Sequence, residues 1–141
     1  MKKDEGSVVV VRAWLAKAEN DLLNATHTLK LGYHSPTDTV CFHAQQCAEK
    51  YLKALLVLRG IEFPKTHDLE ALFARLRNGT KPELLPADLA RLSRYATTTR
   101  YPGVDEITLS EARKAVASSR RIRRAIRALL PRVARATKVN T

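Results

Sequence analysis

Between His43 and Asp68 the chain reads H-A-Q-Q-C-A-E-K-Y-L-K-A-L-L-V-L-R-G-I-E-F-P-K-T-H-D, with Gln46, Glu49, Lys50 and Lys53 at i, i+3, i+4 and i+7. On a helix these four fall within two turns of one face. An amide, a carboxylate and two ammoniums in a row either lace a solvated face, hold a nucleotide phosphate, or line a dimer seam. Glu49 and Lys53 form an i, i+4 pair in the favourable order, worth only about 0.2–0.5 kcal/mol if exposed. His43 lies one turn before Gln46 and either extends the polar face or packs with a hydrogen bond. His67 and Asp68 offer a base beside an orienting carboxylate, as acyl- or phosphoryl-transfer chemistry requires. Their structural alternative is a helix start, with Thr66 as the cap and Asp68 in the first turn. Arg100 and Tyr101, just before Pro102, pair a permanent cation with an aromatic plane suited to stacking and phosphate contact. They serve equally well as a loop lock, with Arg100 on Glu49 and Tyr101 packed on the fold.

These side chains need elements to position them, and the apolar pattern supplies helices throughout. Val11, Leu15, Ala18, Leu22, Ala25 and Leu29 recur at helical spacing before Gly32. Ser35-Pro36-Thr37-Asp38 supplies an N-cap, a proline at the first helical position and an early carboxylate, so a second helix runs from about Pro36 to Arg59. Its stripe of Ala44, Ala48, Tyr51, Leu55 and Leu58 requires a core. A third, shorter helix carries Leu69, Leu72, Phe73 and Leu76 and stops near Asn78-Gly79; a fourth spans Ala87 to about Thr98. Thr108-Leu109-Ser110-Glu111 fits a capping box for a fifth. That helix turns Leu109, Ala112, Val116, Ser119, Ile122, Ile126, Leu129 and Val133 inward and its arginines outward, ending or kinking at Pro131. The expectation is an all-α, antiparallel up-and-down bundle of about five helices, three long and two short. It forms one domain over residues 1–141, with loose ends at about 1–7 and 132–141.

The net charge of +11 is unevenly distributed. From Glu111 to Thr141 ten basic residues face a single acidic one, which leaves 15 basic and 13 acidic residues for the rest of the chain. Arg120, Arg121, Arg124 and Arg127 are therefore candidates for contact with nucleic acid, unless they are simply a solvated arginine-rich face. Cys41 and Cys47 lie six apart on one predicted helix and point away from each other, which excludes an easy disulfide. With no long apolar run and no leader pattern, a reducing cytoplasm is the expected location and no membrane contact is expected. No Gly-rich phosphate loop, Cys/His metal spacing or serine nucleophile motif is present, so neither a metal nor a cofactor is expected.

Taken in order, several of these motifs resemble the HEPN domain family. They are Ala44-Gln45-Gln46-Cys47-Ala48-Glu49-Lys50, Leu52-Lys53-Ala54-Leu55-Leu56, Thr66-His67-Asp68-Leu69 and Arg100-Tyr101-Pro102. Ala18-Glu19-Asn20-Asp21-Leu22 and Tyr33 agree with its first helix and loop, so the resemblance covers about residues 12 to 130. It implies a bundle that is often a homodimer and is frequently encoded beside a minimal nucleotidyltransferase in toxin–antitoxin or related pairs. Many such proteins are metal-independent ribonucleases with an arginine, four to six residues, then a histidine. Here none of His27, His34, His43 and His67 has an arginine five to seven positions before it, and Gly60 and Pro64 interrupt the interval from Arg59 to His67. The expectation is thus a binding protein, partner to a nucleotidyltransferase. Its nucleotide or partner site comprises Gln46, Glu49, Lys50, Lys53, His67, Asp68, Arg100 and Tyr101. The alternatives are a ribonuclease in which Arg100 meets His67 or His43, and nucleic-acid binding by the basic last helix without cleavage.

Overall fold

A computed structural model describes the backbone of residues 2–96 and 106–135, with side chains from Val8 onward. Among these residues the fold is all-α: α1 (Lys2–Leu29), a 3-10 turn (Gly32–His34), α2 (Thr37–Leu58), α3 (Leu69–Ala74), α4 (Pro86–Ser93), α5 (Leu109–Arg127) and α6 (Arg132–Arg135). The expected three long helices are α1, α2 and α5, and the short ones number three rather than two. None of these helices is long and apolar enough to cross a membrane.

The core forms where the stripes of the long helices meet. Val11, Leu15, Ala18, Leu22 and Ala25 of α1 are buried against Ala44, Ala48, Tyr51, Leu52 and Leu55 of α2. Ala112, Val116, Ile122 and Ile126 of α5 close the other side of α2. Each large aliphatic side chain taken from water contributes about 1.5–3 kcal/mol, which is why these stripes fix the helix orientations. Leu69 and Leu72 of α3 and Leu89 and Leu92 of α4 cover the remaining flank. Cys41 and Cys47 are free and buried, and burial pushes the Cys47 thiol up to about 12.

The helix ends depart from expectation in instructive ways. Asp68, not Thr66, is the N-cap of α3: its Oδ1 accepts from the amides of Glu70 and Ala71 at 3.0 and 3.3 Å, while Thr66 Oγ1 accepts from Asp68 N at 3.1 Å. Thr108 caps α5 as expected, accepting from Glu111 N at 3.0 Å, but the Glu111 carboxylate accepts from Tyr95 OH. α2 has Pro36 at its N-cap position, and Ser35 Oγ donates back to Thr28 O at 3.0 Å.

The largest correction concerns α5, whose last helical residue is Arg127. Pro131 lacks an amide proton and its ring clashes with the carbonyl four residues earlier, so the helical phase cannot continue. Leu130 and Ala134 are consequently the buried residues beyond that point, and Leu129 and Val133, expected inside, are exposed. The stretch from residue 132, read as a loose end, opens with α6, which packs on α1.

Candidate functional site

Two carboxylates organise the polar side of α2, and neither is displayed to solvent. Glu49 is 3% exposed. Its Oε1 accepts from Gln45 Nε2 at 3.0 Å, from Gln46 Nε2 at 3.4 Å and lies 2.8 Å from His67 Nδ1, while Oε2 accepts from Lys53 Nζ at 2.8 Å. Burial alone would raise the pKa of this carboxyl, but the hydrogen bonds from Lys53, Gln45 and His67 outweigh it and hold it below the ordinary value. Asp21 of α1 repeats the arrangement one helix away: Oδ1 lies 2.8 Å from His43 Nδ1 and Oδ2 accepts from Lys50 Nζ at 2.6 Å. Each centre is thus a carboxylate holding one histidine and one lysine.

The four-residue row is therefore layered in depth rather than lying flat on a surface. Lys53 sits deep in it, its ammonium 5.6 Å from the ring centre of Trp14 and 5.7 Å from that of Phe63, which adds cation–π attraction to the ion pair. Gln45 is fully buried and donates a second hydrogen bond to His67 O at 3.1 Å, tying the loop after α2 to the helix. Gln46 donates to Gln45 Oε1 at 2.8 Å, so its amide is oriented from below. Only His67 stands well out, with its side chain 60% exposed. Its orienting carboxylate is Glu49, eighteen residues earlier, and not the adjacent Asp68, which is occupied as the α3 cap. With Nδ1 fixed on Glu49, Nε2 has no protein partner among the described residues.

Chemically, a carboxylate-anchored imidazole with one open nitrogen can accept or donate a proton, or bind a phosphate oxygen. Half-buried Lys50 and His43, both on α2, add a cation and a second anchored ring, whereas His67 itself stands on the loop after that helix. No group of residues suited to holding a metal ion occurs among those described. Arg100 and Tyr101 lie outside the described residues. Trp14 and Phe63 were not singled out from the sequence, and Asp21 and Gln45 stood only within the family motifs and not among the site residues; the local signal was Asp21 flanking the buried stripe of α1, where a carboxylate needs a cation.

The basic last helix is partly engaged by the fold. Arg121 forks onto buried Asp88, with both contacts at 2.9 Å, and Ser118 Oγ donates to the same carboxylate at 2.7 Å. Burial would raise the Asp88 pKa, but Arg121 and Ser118 hold it below the usual carboxylate range. Arg127 donates to Tyr51 OH at 3.2 Å and to Arg135 O at 3.2 Å. Arg123 forks onto Glu19 at 2.7 and 3.1 Å, and Glu19 also accepts from the buried Tyr51 OH. Of the four candidates Arg120, Arg121, Arg124 and Arg127, only Arg120 and Arg124 are exposed without an ion partner among the described residues.

Comparison with known proteins gives a consistent set of likenesses. Residues 11–129 match the HEPN domain. A candidate toxin, MJ1304 of Methanocaldococcus jannaschii, is 30% identical over 109 residues, covering 71% of this chain and 69% of that protein. The crystal structure of TT1696 from Thermus thermophilus superposes with a TM-score of 0.72 at 28% identity, covering 85% of this chain and 98% of that one. ST0689, an archaeal HEPN homologue of known structure, gives a TM-score of 0.60 at 28% identity, over 84% and 95% of the two chains.

Proposed function

The chain belongs to the HEPN domain family, and we propose that it acts by binding rather than turnover, holding the phosphate of a nucleotide or an RNA end on the α2 face. The observation that carries this reading is the exposed His67 ring, fixed through Nδ1 on buried Glu49 with Nε2 open. Such a ring offers a directed hydrogen bond to an anionic oxygen, and Lys50, held by Asp21, adds positive charge along the same helix. Against catalysis stands the absence of the arginine-to-histidine spacing, together with the absence of any arginine hydrogen-bonded to either ring among the described residues. Titration calorimetry with AMP, ATP and 5′-phosphorylated oligoribonucleotides tests it. Saturable binding that weakens about tenfold or more in His67→Ala is expected; no binding by the intact chain would overturn it.

The same anchored imidazole also suits a proton-transfer role, so a metal-independent ribonuclease is the second reading. RNA cleavage in the presence of a chelator that disappears in His67→Ala would replace the binding reading with that one. A third is nucleic-acid binding through exposed Arg120 and Arg124 on α5, for which affinity falls steeply with added salt as counterions are released. The physiological setting we propose is a cytoplasmic homodimer paired with a minimal nucleotidyltransferase. The name of the M. jannaschii relative fits such a toxin–antitoxin pair. Failure of the two purified proteins to associate at micromolar concentration would dismiss the partner.

A further inference from the structure

A cleft lies away from the α2 face, between residues 81–88 and the end of α5, with a volume of about 510 Å³. Leu84, Ile122 and Ala125 give it an apolar lining, and at its edges Leu85 and Leu129 are 57% and 38% exposed. A single exposed leucine is ordinary, but two beside one apolar cleft make a continuous strip of the kind that marks an interaction site. The break at Pro131 is what turns Leu129 outward to complete it.

The charges around the cleft are of two kinds. Asp88 is engaged by Arg121 and Ser118 and is not free to meet a ligand. Arg124 is exposed, half-buried Lys81 holds its ammonium 4.7 Å from the ring centre of Phe73, and Glu83 stands against these two cations within the field of the strongly basic final segment. The cleft is thus apolar in part of its lining, with two cations against one carboxylate among the charges not taken up by the Asp88–Arg121 pair. Among the described residues there is no strand edge to which an extended peptide could add, whereas a groove between helical elements suits an amphipathic helix. We infer that this cleft docks an acidic amphipathic helix of a partner protein, its leucine-like side chains entering between Leu85 and Leu129 and its carboxylates meeting Arg124 and Lys81. Nucleic acid would use the arginines but would leave the apolar strip unfilled, so the strip favours protein. The inference draws on none of the α2 residues and is independent of the phosphate-binding reading; it shares Arg124 with the nucleic-acid reading.

The test uses the full chain and a fluorescein-labelled helical peptide of leucine and glutamate, patterned so that the leucines share one face. Anisotropy should show saturable binding that is absent for a peptide of the same composition with the pattern scrambled. Ala125→Trp, which fills the cleft, and Leu129→Glu, a change at a surface position, should each weaken binding about tenfold or more. Arg124→Glu should do the same, while Arg113→Glu, an equal charge change on the exposed start of α5, should alter it by less than about twofold. Circular dichroism confirms that each variant is folded. Equal losses in Arg113→Glu and Arg124→Glu would reduce the effect to general attraction and overturn the proposal. So would unchanged binding in both Ala125→Trp and Leu129→Glu, or displacement of the peptide by an RNA oligonucleotide whose own binding depends on Leu129.

Discussion

Replacing Glu49 by glutamine keeps the shape of the side chain and removes only its charge, which makes it the sharpest probe of the α2 centre. The carboxylate is 3% exposed and receives Lys53, His67 and Gln45 at 2.8, 2.8 and 3.0 Å. Removing one partner of a buried ion pair costs about 3–5 kcal/mol, because the other charge stays behind in a poor environment. The glutamine carbonyl still accepts a hydrogen bond worth about 1 kcal/mol, so the net loss is about 2–4 kcal/mol. For a chain of this length each kcal/mol lowers Tm by about 3–4 °C, giving a fall of roughly 6–16 °C at pH 7. The pH dependence identifies the cause. The folded pKa of Glu49 lies below its unfolded value of about 4.3, so its contribution is complete above that pH and disappears as pH falls through the folded value. Melting curves of both proteins from pH 7 to pH 3 should therefore converge at the acid end. A Tm within about 1 °C of the parent at pH 7 would refute the ion-pair account. A gap that persists undiminished into acid would show that shape, not charge, was lost.

Other substitutions test the remaining contacts. Asp88→Asn should cost about 3 kcal/mol at pH 7 in chemical denaturation, and the cost should shrink as pH falls through the depressed folded pKa of Asp88. Asp68→Ala should lose about 1 kcal/mol as the α3 cap while Thr66→Ala loses less, an order that the alternative cap assignment reverses. Leu55→Ala, at a fully buried position, should cost about 2–5 kcal/mol by the same measurement. A thiol reagent at pH 8 should leave Cys47 unmodified in the folded chain and label it only after denaturation, because its thiol is buried and its pKa raised to about 12.

Periodicity made the long helices readable, since a stripe such as Val11 to Ala25 has few alternatives once it must be buried. The capping and proline signals at Ser35-Pro36-Thr37-Asp38 helped to locate α2 to within one residue of its start and its end. The polar pairings were not readable in the same way, because their partners come together only through packing. Asp21 finds Lys50 across 29 residues and Glu19 finds Arg123 across 104. Adjacency misled in one case, where His67 and Asp68 sit side by side yet answer to different elements. Extending a period through a proline misled in another, placing Leu129 and Val133 inside a helix that stops at Arg127. The Gln45 hydrogen bond to His67 O is legible only once the loop after α2 is known to fold back on that helix.

Trp14, whose ring faces the Lys53 ammonium, is the only tryptophan in the chain. Its indole emission therefore carries a signal from one place, at the edge of the Glu49 centre. Protonation of that carboxylate or displacement of Lys53 would each change the charge beside the fluorophore. The fold thus contains its own optical gauge, and the charge state of the Glu49 centre can be followed in the unmodified protein with no label attached.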